Sequence, residues 1–246
     1  AALRAGVGAV MLGTPESVYP VLARKLTEAI VVPLPSTPEG SVSAQAMPLI
    51  REKMKWADVV IVGPGLSQHS ETQKLVHQLL RENTGKMLVD ADGLNALATV
   101  GLSTLKKSKG SFILTPHAGE CSRLLNIPSR TVETERVGMA RHAATSAKAT
   151  FVLKGGPTVT GAIDGKEYIN STGNPGMATV GSGDVLSGII AGLWAQGMSD
   201  INAAVAGVFL HGLSGNLVRE KLGERSIVAQ DLIDFLPRAF QEVERG

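Results

Sequence analysis

Cysteine is almost absent from this chain. Cys121 alone in 246 residues leaves no internal disulfide framework and no cysteine-based zinc site. A reducing compartment suits such a chain, so a cytoplasmic location is expected. Net charge is also scarce. Lys and Arg number 24 against 22 Asp and Glu, a formal charge of +2, and Lys106, Lys107 and Lys109 form the only basic run. That balance argues against nucleic acid or an anionic membrane surface as a partner. Long apolar runs are missing too. The most apolar stretch, 203–210, is short and is followed by His211, Ser214 and Asn216, so it reads as a buried core helix, with no membrane span and no signal peptide expected. There is no internal repeat, low-complexity tract or linker, so one domain over 1–246 is expected. A P-loop of the form GxxxxGK[ST] is absent as well.

What is present is a chain that is 43% hydrophobic and 19% charged, enough to bury a large core. Unbroken apolar runs predict strands over 8–13, 30–34, 58–62, 87–89, 112–114 and 150–153. Helical spacing predicts helices over 16–26, 44–55, 71–82, 130–147, 184–196, 201–222 and 229–243, the first opened by Thr14-Pro15. A hairpin is expected from 158–160 and 167–170. Strands that alternate with helices and lack inside–outside alternation predict an α/β fold with a parallel sheet covered on both faces. In such folds ligands gather at the carboxyl ends of the strands. Here those ends read GPG (63–65), DAD (90–92), TPH (115–117) and KGG (154–156).

The stretch NPGMATVGSGDVLSG (174–188) carries four glycines and one carboxylate, then turns into an apolar helix. The helix start leaves amides unpaired at the positive end of its dipole, and Gly181 and Gly183 let a ligand reach them, which makes a phosphate site. By position Asp184 is a cap or first-turn acid. Beside a phosphate site it also reads as a base on a substrate hydroxyl, with the 181–183 amides steadying the transferring phosphoryl group. Lys154 reads as a phosphate contact or a surface lysine, and Gly63-Pro64-Gly65 as an amide-exposing turn or a plain one. His117, with Glu120, starts a helix at the same sheet edge. Asp90 and Asp92 suit water-mediated Mg²⁺, with Asp92 equally a helix cap. His69, His77, His142 and His211 read as structural, and Cys121 as a small buried hydrophobe. Gly188 and Gly192 would let the helix after Gly183 approach a neighbour closely.

The motifs GPGLS (63–67), DADGLNAL (90–97), TPHAGE (115–120), KGGPT (154–158) and GNPGMATVGSGDVLSG (173–188), in that order, resemble those of the NAD(P)H-hydrate dehydratase family. The resemblance implies a three-layer α/β/α, ribokinase-like fold with a mostly parallel sheet. It implies phosphorylation of the ring hydroxyl of hydrated NADH or NADPH by ADP or ATP with Mg²⁺, then loss of phosphate. ADP is the implied donor, because GMATVGSGD resembles the bacterial form. By resemblance Asp184 is the base, and Gly65, His117, Asn174 and Asp184 touch the hydrated cofactor. Lys154, Gly155, Gly156, Pro157 and Thr158, with Gly181, Ser182 and Gly183, hold the nucleotide. Metal ligands are left unassigned, and a homo-oligomer such as a tetramer is implied. Three departures stand out. Ser67 and Val180 replace residues that are often glycine in the family, and Val180 either narrows the anion loop or marks a subgroup. The family's first strand and GGS-type loop are expected to lie before Ala1, with AALRAG (1–6) as the tail of the helix that follows them. Two other readings share these motifs: a small-molecule kinase of the hydroxymethylpyrimidine or hydroxyethylthiazole type, and a non-catalytic nucleotide-binding protein.

Overall fold

The computed structural model describes residues 1–245. In chain order it runs β1 (Met11–Pro15), α1 (Tyr19–Lys25), β2 (Ile30–Leu34), α2 (Met47–Met54), β3 (Val59–Val62) and α3 (Ser70–Glu82). Then come β4 (Lys86–Val89), α4 (Ala91–Val100), β5 (Ser111–Leu114), α5 (Ala118–Leu125), α6 (Ser129–Thr134), α7 (Arg136–Ala147) and β6 (Thr150–Leu153). The hairpin β7 (Val159–Gly161) and β8 (Glu167–Ile169) follows, then α8 (Ser182–Ala195), α9 (Asp200–Leu222) and α10 (Ala229–Arg245).

Six strands form one sheet in the order β3-β4-β5-β6-β7-β8, with β3 to β6 parallel and β7 and β8 antiparallel. Successive side chains of a strand leave opposite faces, and here that alternation splits the core in two. Met87, Val89, Phe112, Leu114, Phe151 and Leu153 enter one apolar cluster with α3, α4, α5 and α7. Leu88, Ile113 and Val152 enter the other, with α8, α9 and α10. The result is the three-layer α/β/α arrangement, and the uninterrupted apolar runs exist because both faces are covered.

Small residues set the layer spacing. A side chain on Gly207 of α9 would meet Ile190 of α8 at 2.6 Å. Gly188 and Gly192 admit a different neighbour from a helix: their added Cβ atoms would meet Ala1 and Ala5 at 2.8 Å each. The segment 1–6 packs there, with Leu3–Ala5 as a 3-10 turn closed by Gly6 at φ +102°. By length and composition α9 is apolar enough to cross a membrane, yet over half of its most apolar stretch is buried inside the fold. Cys121 is fully buried, and burial pushes its thiol up to about 11.

Two regions differ from the sequence reading. The strand expected at 8–13 lies at Met11–Pro15, pairs in parallel with β2 only, and is mostly solvent-exposed. Pro15 ends that strand, and the helix after it starts at Tyr19 with Pro20 in its first turn and no buried residue. The helix expected over 130–147 breaks at Glu135, whose φ of −118° and ψ of 33° are not helical. That break puts Arg136 at the head of α7. From there its guanidinium donates to the carbonyls of Leu153, Lys154 and Pro157 at 3.1, 2.9 and 3.1 Å.

Candidate active site

The sheet order brings GPG, DAD, TPH and KGG side by side at one edge. The ends of β3 and β4 interlock through glycine. A Cβ on Gly63, at φ +134°, would fall on the Asp90 carbonyl, and one on Gly93 would lie 2.6 Å from the Val62 oxygen. Asp90 is buried and caps α4, with Oδ1 accepting from the Ala91 amide at 2.9 Å. Oδ1 also accepts from Lys154 Nζ at 2.7 Å, and Oδ2 from the Ser187 hydroxyl at 2.7 Å. Three donors, one of them charged, offset the cost of burying this carboxylate. Asp92 does not cap the helix. It accepts from the Ser67 amide at 2.9 Å and from Asn95 at 3.1 Å.

Lys154 follows β6 beside His117, their backbones forming a parallel bridge. His117 caps α5: its Nδ1 accepts from the Gly119 amide at 3.0 Å, which leaves the proton on Nε2, 3.2 Å from Glu120 Oε1. Glu120 returns the cap by accepting from the His117 amide at 2.9 Å, and its Oε2 lies 3.9 Å from Lys154. Past Lys154, Gly155 takes φ +155°, and a Cβ there would strike the Arg136 guanidinium. The Gly156–Pro157 bond is cis. The Thr158 hydroxyl closes this turn by donating to the Gly155 carbonyl at 3.1 Å.

The third component is the start of α8. Gly181, at φ +87°, occupies the cap position without a side chain to fill it. Ser182 N–H is taken by Thr179 and Val185 N–H by Gly181, while the Gly183 and Asp184 amides find no acceptor among the described residues. They point outward at the positive end of a 14-residue helix. Lys154 Nζ lies 3.4 Å from where a Gly183 Cβ would stand, so the free amides and the ammonium share one anion site. Asp184 stands at its mouth, open to solvent. Partial desolvation, then the Asp90 charge, hold its pKa above the ordinary carboxylate value, with Lys154 opposing.

Asn174 caps the turn Pro175–Met177 by accepting from the Gly176 amide at 3.1 Å, and its amide reaches Asn216 of α9 at 3.3 Å. Gly65, at φ +67°, lies on the exposed rim with open space around it and no hydrogen bond to the Lys154–Asp184 cluster. Ser67 takes φ +74°, a conformation that favours glycine. Val180 is 98% exposed, so its side chain packs against nothing in the loop.

Two residues with no role in the sequence reading belong to this site. Ser187 lies one turn beyond Asp184 and holds Asp90. His211 on α9 sits behind the anion loop, its Nε2 3.2 Å from the Ser182 hydroxyl. Burial, with a smaller push from Lys154, lowers its pKa to about 4, so at neutral pH it is uncharged. A polar side chain inside an otherwise apolar helix is the one local signal that could have marked it. No three His, Cys, Asp or Glu side chains among the described residues group as a metal site. Both Asp90 oxygens are already engaged. The arrangement fits a metal carried in on phosphates, as Mg²⁺ commonly is.

Fold and site together define a ribokinase-like α/β protein with an open helix start, a lysine and a carboxylate at the carboxyl edge of its sheet. A sequence model of the NAD(P)H-hydrate dehydratase family matches residues 1–238, and the chain belongs to that family. It is 44% identical over 244 residues to the bifunctional NAD(P)H-hydrate repair enzyme Nnr of Moorella thermoacetica, covering 99% of this chain and 46% of that protein. The chain thus spans about half the length of the bifunctional relatives it matches. It is 30% identical over 246 residues to the ADP-dependent (S)-NAD(P)H-hydrate dehydratase of Xanthomonas campestris, covering 100% of this chain and 83% of that one. Among solved structures, the Bacillus subtilis ADP/ATP-dependent NAD(P)H-hydrate dehydratase co-crystallised with ATP/Mg²⁺ superposes with a TM-score of 0.81 at 29% identity, covering 98% of this chain and 81% of that one.

Proposed function

We propose that this chain is a lyase that restores NADH or NADPH from the hydrated cofactor, using ADP or ATP as phosphoryl donor. The observation that carries the reading is the meeting of Asp184, Lys154 and two unpaired amides at the head of α8. Asp184, with its raised proton affinity, takes the proton of the ring hydroxyl. The hydroxyl oxygen forms a bond to phosphorus as the phosphorus–oxygen bond to the leaving nucleotide breaks. The Gly183 and Asp184 amides and Lys154 stabilise charge on the transferring group. The ring carbon–oxygen bond then breaks, phosphate leaves with the electron pair, the adjacent carbon gives up a proton, and the ring double bond is restored. Mg²⁺ bound to the nucleotide supplies charge neutralisation between phosphates. The Gly181–Gly183 loop would seat the phosphates that carry it.

Gly65, His117 and Asn174 are read as contacts to the hydrated cofactor, and the 154–158 turn, braced by Arg136, as the nucleotide side. ADP is read as the preferred donor, in keeping with the Xanthomonas relative's name. The exposed Tyr168 and Ile169 on edge strand β8 support a homo-oligomer. The test is recovery of reduced-nicotinamide absorbance from hydrated NADH with Mg²⁺ and ADP or ATP. The expected result is nucleotide-dependent recovery with free phosphate released. A phosphorylated organic product with no recovered NADH would replace the lyase reading with a kinase.

A further inference from the structure

We propose that Asp90 is a positioning residue of this reaction: it holds the Lys154 ammonium against the head of α8, making a flexible lysine a fixed positive charge that faces the oxygen on which Asp184 acts. The inference rests on the dehydratase reading above and assigns Lys154 to the transferred group more than to the remote part of the nucleotide.

Three elements converge on Asp90. The first residue of α4 and the residue after β6 donate to one carboxylate oxygen at 2.9 and 2.7 Å, and Ser187 of α8 donates to the other at 2.7 Å. A lysine normally places its charge on four rotatable bonds and gives up that freedom when it meets a ligand. Here the stem is mostly buried, with 19% of the Lys154 side chain exposed, and the ammonium is already anchored. A charge fixed in advance needs no reorganisation when the phosphoryl group moves, which is where such interactions contribute most. A lysine tied to a buried carboxylate is also poorly placed to reach out toward a distant base or ribose.

The pair acts on Asp184 with opposite signs. The Asp90 charge raises the proton affinity of the base and the Lys154 charge lowers it. The other charged or titratable groups around Lys154 come from α5, α7 and α9, and Arg136 of α7 donates to the Lys154 carbonyl at 2.9 Å. Glu120 is 3.9 Å from the ammonium, and its carboxylate accepts from the His117 amide and faces His117 Nε2. His211 is uncharged at neutral pH.

The experiment compares wild type, Asp90→Asn and Lys154→Met in the hydrated-NADH assay with Mg²⁺ and ADP or ATP across pH. Each variant should lower kcat about tenfold or more while the nucleotide KM stays within about threefold. The acid limb of kcat/KM should move to lower pH in Asp90→Asn and to higher pH in Lys154→Met. A purely structural Asp90 would lower the thermal midpoint and leave both the limb and the kcat of the folded enzyme unchanged, and that result would overturn the proposal. Should a single variant fail to fold through its uncompensated buried charge, Asp90→Asn/Lys154→Met removes both charges together. A double variant with wild-type kcat would sink the idea, and one slowed about tenfold at unchanged nucleotide KM would support it. A titration of the Asp184 carboxyl by ¹³C NMR needs no turnover and should show the same opposed shifts. Shifts without any action on hydrated NADH would leave the charge arrangement standing and refute the substrate reading. Action on hydrated NADH without shifts would refute only the role of Asp90.

Discussion

Strands β4, β5 and β6 bury nearly every side chain, whereas β1 and β2 bury one residue each, Thr14 and Leu34. The two regions begin from similarly apolar sequence. Their difference is cover. Helices lie on both faces of the central strands, while α1, the helix between β1 and β2, buries nothing. A parallel sheet is stable where both faces are packed, so rigidity concentrates around β4 to β6. The groups proposed to react stand at the carboxyl ends of those same strands, held by bonds that span them. The contrast teaches that the site draws its precision from the packed half of the molecule and little from the β1–β2 unit.

The largest effect should come at the rigid edge itself. Asp184→Asn is expected to lower kcat by roughly 10²–10⁴-fold while nucleotide binding, measured by calorimetry, stays near wild type. A variant within a few-fold of wild type would remove Asp184 as the base. Packing energy gives the next test. Leu88→Ala, at a fully buried position of β4, should cost about 2–5 kcal/mol in urea unfolding. Val21→Ala in α1, where Val21 is 58% exposed, should stay within about 0.5 kcal/mol. Equal costs would erase the contrast between the two regions.

The third prediction is pH-dependent. In the unfolded chain a histidine takes up its proton near pH 6.5, whereas His211 in the folded state resists until about 4. Stability from the half-buried neutral ring is therefore complete above about pH 6.5 and is lost as pH falls toward 4, by about 3 kcal/mol. His211→Gln should flatten that part of the stability–pH curve, and an unchanged slope would argue against a half-buried neutral histidine. A small effect is also expected at Ser67. Glycine relieves the positive φ but gives up the acceptor for the His69 amide at 3.2 Å, so Ser67→Gly should change stability by at most about 1 kcal/mol, read as a small shift in thermal midpoint.

The central strands were legible because each is a short apolar run with a polar or glycine end, a local pattern. The glycine loop at 181–183 was legible for the same reason. The contacts that organise the site were not. Lys154 and Asp90 are 64 residues apart, and Ser187 and Asp90 are 97 apart, so nothing local links them. His211 resembled any other helical histidine until α9 was packed behind the anion loop. The break at Glu135 was hidden because both sides of it carry helical residues, and only the reach of Arg136 to the end of β6 gives it a purpose. The exposed state of β1 escaped notice because hydrophobicity reports what a strand could bury and says nothing of what is there to cover it.

The bond from Ser187 to Asp90 has a mechanical consequence. It joins the second turn of α8 to the end of β4, so that helix can neither roll about its axis nor slide along it without exposing a buried carboxylate. An adjustment on ligand entry would then fall upstream, in the segment from Gly173 to Gly181, whose backbone turns at those two glycines through positive φ angles. The helix behaves as an anvil, and the glycine-flanked segment before it as the part that yields.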